Sequence, residues 1–185
     1  MKSLLLSATK KGTEFPVGGT KLKVKDIALI GMMSSIMIAA QVCMNFLPNI
    51  ELVSLLIILY TLIFGWKALY MIYIFVAVEG LIYGFSLWWF SYLYIWLVLY
   101  LITKLFHKVM SPLYWAIISG IYGLSFGALY SIVVILTSGI NGGLASWVQG
   151  IPFDIAHGIG NFAATLILFK PLYFILSKLN RQLEY

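Results

Sequence analysis

Long apolar runs separated by short polar breaks make up nearly the whole chain after residue 25. Each run is continuously apolar, whereas a strand of a membrane barrel would alternate apolar and polar residues with a period of two. Helices satisfy all their backbone hydrogen bonds within one segment, so the runs predict membrane-spanning helices. The predicted spans are residues 27–47, 50–64, 68–83, 87–105, 113–137 and 146–169.

The composition supports this interpretation and excludes several classes of protein. Of the 185 residues, 62% are hydrophobic and 10% are charged, whereas a soluble domain carries about 25% charged residues. A span needs about 20 apolar residues, so little room remains for a soluble catalytic or nucleotide-binding domain. The single cysteine, Cys43, excludes an internal disulfide and a cysteine-based metal cluster.

The predicted fold is an all-α integral membrane protein with six transmembrane helices in a compact bundle. We expect a basic cytoplasmic tail over residues 1–25, a membrane domain over residues 26–179 and a cytoplasmic C-terminal tail over residues 180–185. We expect no metal and no cofactor in this chain.

The distribution of charge predicts the orientation of the bundle. With six spans, all 12 lysines and arginines fall on one side, and an excess of these residues marks the cytoplasmic side of a membrane protein. Three of the six acidic residues share that side, so it carries 12 − 3 = +9 and the other side −3, in agreement with the formal net charge of +6. Both termini are therefore predicted to be cytoplasmic. The basic balance reflects topology and attraction to anionic lipid, not nucleic-acid binding.

Polar side chains within the predicted spans concentrate in the outer halves. Such groups are costly in lipid unless they face a partner or water, so each is a candidate site residue. The inner halves are almost purely apolar, whereas a channel would keep a polar lining along its length. The sequence therefore predicts a pocket that is open to the outside and sealed below. Its predicted lining comprises Gln41 and Asn45 in span one, Glu79 and Tyr83 in span three, and Asp154, His157 and Asn161 in span six.

Other interpretations of these polar groups remain open at this point. Glu51, at the outer start of span two, fits a headgroup position as well as the pocket. Asp154 could instead begin a helix together with Gly150 and Pro152. The two amides of span one equally suit hydrogen bonds between helices.

Aromatic residues are dense between Tyr83 and Trp96. Tryptophan and tyrosine commonly form a belt at the membrane interface, but flat aromatic walls also bind ring systems. We therefore predict ligand contacts for Trp88, Trp89 and Tyr92. Trp147, at the mouth of span six, is a similar candidate.

Two spans carry small residues at every fourth position, which lets another helix approach closely in lipid. One stripe is expected to pack inside the bundle and the other to dock a partner, and the stripe in span one is the predicted docking face. The stripes are Gly31, Ser35 and Ala39 in span one, and Ser119, Gly123, Gly127 and Ser131 in span five.

Residues 123–127 also match the pattern G-x-S-x-G of serine hydrolases. In a hydrolase that serine occupies a strand-to-helix turn, whereas Ser125 lies within an apolar helical run. An intramembrane hydrolase that uses Ser125 and His157 is thus an unfavoured alternative, and we expect no catalytic residue.

The basic tail, the six short-looped spans, the stripe in span one and the segments PNIE at 48–51 and GIPFDIAHGIGN at 150–161 resemble an S component. An S component is the substrate-binding subunit of an energy-coupling factor (ECF) vitamin transporter. The resemblance covers residues 25–179. The family's Ala-xxx-Ala motif in span one, which contacts the coupling subunit, is matched here by Gly31, Ser35 and Ala39.

The resemblance implies a function without chemistry in this chain. The subunit would capture a vitamin from outside and deliver it by tilting, in complex with a transmembrane coupling subunit and two cytoplasmic ATPases that use ATP. Cobalamin is the favoured vitamin, with thiamine, folate or a related precursor as alternatives. The location would be a prokaryotic plasma membrane, with multiple passes. A free-standing small-molecule transporter or channel is the alternative function.

Overall fold

The computed structural model describes residues 22–46 and 51–183, and within these ranges every regular element is an α-helix. The all-helical fold predicted from the apolar runs is thus confirmed. The predicted N-terminal tail lies outside the described residues except for residues 22–25. The helices are α1 (Val24–Met44), α2 (Val53–Phe64), α3 (Lys67–Tyr83), α4 (Leu87–Leu105), α5 (Pro112–Leu124) and α6 (Phe126–Leu183).

Three helical stretches are long and apolar enough to cross a membrane, by length and composition. They are α1, α4 and the combined run Pro112–Leu183, which contains α5 and α6. Helix α2 is also apolar, but it has only 12 residues. This set of helices is compatible with a protein embedded in a membrane.

Helix α2 forms the centre of the bundle. Ten of its 12 residues are buried, and its neighbours include α3, α4 and α6. A helix that is apolar around its whole circumference must be covered on all sides. The shortness of α2 is therefore compatible with its position, because protein rather than lipid surrounds it.

Helices α1 and α3 run parallel to each other, as expected for two helices separated by one intervening pass. Near their starts, Nζ of Lys67 lies 2.6 Å from Oδ1 of Asp26. One turn further along α3, the hydroxyl of Ser34 donates to the carbonyl of Met71 at 3.2 Å. The ends of α1 and α3 consequently meet at the opposite end of the bundle, which the charge pattern assigns to the outside.

The run Pro112–Leu183 folds back on itself at Gly139. This glycine has φ 77° and ψ 173°, in the left-handed region that a side chain disfavours. Gly123 lies against Gly158, and Ile135 lies against Gly143, so the chain after residue 139 returns antiparallel to the chain before it. The break predicted between the spans 113–137 and 146–169 is thereby reduced to a turn at one glycine.

The helix boundaries follow the sequence closely where polar breaks are strong. Span four has the bounds of α4, and span three differs from α3 by one residue. The final helical stretch is longer than the predicted span six, since Pro152 and Pro171 lie inside α6 without ending it. The helix also continues over residues 180–183, which the sequence assigned to the C-terminal tail, and the last two residues lie outside the described part.

Candidate ligand-binding site

The ends of α1 and α3 and the start of α4 enclose a cavity of about 210 Å³. All of its walls therefore belong to helix ends at one end of the bundle. Six of the eleven residues predicted to bind a ligand meet here, and their role as ligand contacts stays a prediction. The lining residues are Gln41, Asn45, Glu79, Tyr83, Trp88 and Tyr92.

Glu79 supplies the only carboxylate of this lining. The residue is 2% exposed, and its Oε1 has no hydrogen-bond partner among the described residues. Burying a charged or polar oxygen without a partner is costly. A ligand that offers a donor to Glu79 would remove this cost.

The rim of the cavity is more polar and more exposed than Glu79. The side-chain amide of Asn45 donates to the hydroxyl of Tyr83, and this bond joins the ends of α1 and α3. Tyr83 is 46% exposed. The rim is thus accessible from the end of the bundle that is predicted to face outwards.

Aromatic rings form one wall of the cavity and continue into the packed core next to it. The rings of Trp88 and Tyr92 pack edge to face at 5.0 Å, and Tyr92 packs in the same way on Trp96 at 5.2 Å. Trp96 lies one turn deeper in α4, where it contacts Phe75 at 6.1 Å. Phe75 and Trp96 are buried, so the aromatic packing that begins at the cavity wall continues into the core of the bundle.

Trp89, the neighbour of Trp88, is not among the residues that line the cavity. Its indole N–H donates to the carbonyl of Val76 at 2.9 Å, and its ring covers Gly80, where an added Cβ would lie 2.6 Å from Nε1. In the structure Trp89 therefore joins α4 to α3. Trp147 lies on α6, is 41% exposed and also does not line the cavity.

A second polar cluster surrounds Glu51 at the start of α2. The carboxylate of Glu51 accepts the backbone N–H of Ser54 at 3.0 and 3.2 Å, and it also accepts the Ser54 hydroxyl. An acidic side chain that accepts a free N–H of the first turn stabilises the positive end of a helix. Glu51 is 8% exposed, so protein groups surround its side chain, and its position at the level of the lipid headgroups stays a prediction.

Two residues of α6 complete this cluster. The Nε2 of His157 lies 3.1 Å from Oε1 of Glu51, and the amide of Asn161 donates to the hydroxyl of Ser54 at 3.1 Å. The two residues do share one helix face, as their spacing predicts, but this face packs on the start of α2. Among the described contacts, their partners are protein groups of the bundle interior.

Asp154 has a third role. Helix α6 begins at Phe126 after an interruption at Ser125, and the first N–H groups of a helix lack partners within it. Oδ1 of Asp154 accepts the N–H of Gly127 at 2.8 Å. The alternative in which Asp154 begins a helix is wrong. Asp154 lies inside the arm that follows Gly139, and its side chain caps the start of the arm that precedes Gly139.

An aromatic partition lies between the cavity and the Glu51 cluster. The ring of Phe126 lies 6.2 Å from Tyr92 on one side and 4.8 Å from His157 on the other. Sequence reasoning did not identify Phe126 or Ser54. The signal for Ser54 was its spacing of three residues from Glu51, which is typical of a side chain that caps a helix.

The two small-residue stripes occupy opposite environments. Gly31, Ser35 and Ala39 are exposed along α1, and a Cβ added to Gly31 would meet nothing within 4 Å. In the other stripe, Ser119, Gly123 and Ser131 are buried. The stripe of α5 and α6 therefore packs inside the bundle, whereas the stripe of α1 is uncovered. A partner at the uncovered stripe remains a prediction.

Ser125 and His157, the pair considered for a hydrolase, have other partners. The Ser125 hydroxyl donates to the carbonyl of Ile121 at 2.8 Å, and His157 contacts Glu51. Comparison with protein-family models, with curated proteins and with solved structures finds no match. The cavity and the exposed face of α1 are the features that bear on function.

Proposed function

We propose that this chain is the S component of an ECF-type importer and that the cavity at the ends of α1, α3 and α4 binds its substrate. The observation that supports this best is the combination of a buried carboxyl group with one unpartnered oxygen, two amides and aromatic rings around one cavity. A few convergent polar groups beside aromatic rings are typical of a small-molecule site. The buried packing of Phe75 and Trp96 next to the cavity wall fits a subunit that captures a molecule from one side only.

The proposed topology has six passes. Helices α1 to α4 supply four of them, and the reversal at Gly139 divides the run Pro112–Leu183 into two antiparallel passes. With an even number of passes both termini lie on the same side. The distribution of lysine and arginine favours the cytoplasm of a prokaryotic cell for that side.

The volume of the cavity favours a small ligand. Sites for drug-sized molecules measure about 300–1,000 Å³, whereas this cavity measures about 210 Å³. A molecule with one or two small rings, such as thiamine or a vitamin precursor, fits this space. Cobalamin, the vitamin favoured by the resemblance, would require the helix ends to separate.

The exposed stripe of α1 is the proposed contact with the coupling subunit. Its small side chains leave the backbone of α1 open to another helix, and such faces promote helix association in lipid. ATP would be hydrolysed by two cytoplasmic ATPases bound to the coupling subunit. In this proposal the chain itself binds, tilts and releases the substrate.

Affinity purification from the native membrane tests the proposed assembly. The tagged full-length chain should bring down a coupling subunit and two ATPases, and Ser35→Leu should greatly reduce their recovery because it fills the stripe. The matched control is Ala163→Leu, which places the same side chain at an exposed position of α6. Equal recovery of the partner subunits with both variants would show that the stripe is not part of the interface.

A vitamin panel, measured by binding to the purified chain, tests the substrate-binding role. Tight binding of one vitamin or precursor, retained in Ser35→Leu, is expected because the stripe and the cavity are separate. A free-standing transporter would instead move its substrate into liposomes in the absence of partner subunits. Uptake under those conditions would support that alternative.

A further inference from the structure

We infer that the substrate of this cavity is a small organic cation that carries an aromatic or heteroaromatic ring. The inference rests on the proposed function and specifies the substrate class. Two features support it: the lining contains an acidic residue but no basic one, and two aromatic rings pack together in the cavity wall.

Glu79 is the one acidic residue of the lining, and no basic residue of the lining lies beside it. The residue is 2% exposed, and Oε1 has no partner among the described residues. The other lining residues are two amides, two tyrosines and a tryptophan, so none of the lining residues is basic. A buried carboxylate is stabilised by a cation or a strong donor, and a cationic ligand would supply the positive charge that the lining residues do not.

The aromatic wall favours the same kind of ligand. Trp88 and Tyr92 both line the cavity and pack edge to face at 5.0 Å. A cation that lies near the face of a tryptophan or tyrosine ring is attracted by the negative electrostatic potential of that face. A ligand ring can pack on the same surfaces.

An anionic substrate does not suit this lining. Carboxylates and phosphates are bound by arginine, lysine or several converging N–H groups. The lining contains the side-chain amides of Gln41 and Asn45, and the amide of Asn45 already donates to Tyr83. An anion would therefore face Glu79 with few donors to compensate.

Three nicotinamide derivatives of nearly the same size test the inference through charge. These probes are 1-methylnicotinamide, which is cationic, nicotinamide, which is neutral, and nicotinate, which is anionic. The purified full-length chain is kept in an uncharged maltoside detergent, since a phosphocholine headgroup would itself compete as a cation. Saturation-transfer NMR measures binding, and dissociation constants on the order of 1 mM are expected for probes this small.

The wild-type chain should bind 1-methylnicotinamide about tenfold or more tightly than either of the other two probes. Glu79→Gln keeps the shape of the side chain and removes its charge, so it should abolish this preference. The control Tyr83→Phe alters the same cavity without changing its charge and should retain the preference. A thermal unfolding midpoint of Glu79→Gln at or above that of the wild type would show that the variant is folded.

The inference is overturned if nicotinamide or nicotinate binds as well as the cation, if the preference survives in Glu79→Gln, or if none of the probes binds at about 20 mM. Failure of the proposed function is a different result. If a neutral or anionic vitamin binds tightly and a coupling subunit co-purifies, the S-component role stands and the inferred positive charge of the substrate is wrong. If the cation preference holds but no coupling subunit is recovered, the inferred class of ligand is supported and the proposed transporter assembly is wrong.

Discussion

The close contact between Gly123 and Gly158 allows a sharp test of the hairpin that α5 and α6 form. A Cβ added to Gly123 would lie 2.9 Å from the backbone N and Cα of Gly158. Carbon atoms in favourable contact are about 3.5–4.0 Å apart, so the variant Gly123→Ala would have to move the two backbones apart by roughly 0.6 Å or more. These are backbone atoms, so no side-chain rotation can relieve the overlap.

Overpacking of this kind costs about 1–3 kcal/mol, and it is opposed by the better helix propensity of alanine, about 1 kcal/mol. The control is Gly31→Ala in α1, where a Cβ would meet nothing within 4 Å. The control gains the same propensity without the overlap. The two variants should thus differ in their free energy of unfolding by about 1–3 kcal/mol, with Gly123→Ala the less stable.

Thermal unfolding of the two full-length variants, purified in the same detergent, measures this difference. For a chain of this length, 1 kcal/mol corresponds to about 2–4 °C in the unfolding midpoint. We therefore expect Gly123→Ala to unfold several degrees below Gly31→Ala. A midpoint of Gly123→Ala equal to or above that of the control would refute the antiparallel packing of α6 on α5.

Two further side chains give predictions that separate structural roles from ligand binding. His157→Ala removes one of the polar partners of Glu51 but leaves those from Ser54, so it should lower the free energy of unfolding by about 1–3 kcal/mol and leave the cavity intact. An unchanged unfolding midpoint would contradict the burial of that cluster. Trp89→Phe removes the hydrogen bond to Val76 and should cost about 0.5–1.5 kcal/mol with no change in substrate affinity. A large loss of affinity would show that Trp89 contacts the ligand.

Much of the cavity lining could be predicted because the position of a residue along a helix determines its depth in the bundle. Gln41 and Asn45 lie one turn apart, as do Glu79 and Tyr83, and both pairs lie near the end of a span. Since one helix, α2, separates α1 and α3, the two run in the same direction and their ends lie at the same end of the bundle. Spacing and topology together were sufficient to bring four of the six lining residues to the same level.

The direction of side chains around each helix could not be predicted in the same way. Trp88 and Trp89 are adjacent, so they project about 100° apart on α4, and the sequence does not say which of them faces the cavity. His157 lies at the predicted depth, but its partner Glu51 is 106 residues away in sequence. Only the packing of α6 on α2 brings the two together.

The bounds of the last two spans depended on glycine and proline. Gly139 reverses the chain, as a glycine with positive φ can, whereas the neighbouring Gly142 and Gly143 belong to the returning helix. The predicted span six ends at residue 169, and one alternative begins a helix at Pro152 and Asp154, but Pro152 and Pro171 both lie inside α6. Proline in a membrane helix is tolerated when neighbouring groups compensate for the lost hydrogen bond, and a sequence alone does not reveal that compensation.

Labelling of a cysteine at the rim of the cavity, in intact cells, tests the central claim most directly. Cys43 is the only cysteine of the chain and is exposed, so Cys43→Ser provides a background in which Tyr83→Cys is the single reactive thiol. A membrane-impermeant maleimide should label this thiol from outside, and the vitamin that binds should slow the labelling. Labelling that requires broken cells, or that proceeds unchanged at saturating concentrations of the bound vitamin, would contradict an outward-facing substrate cavity.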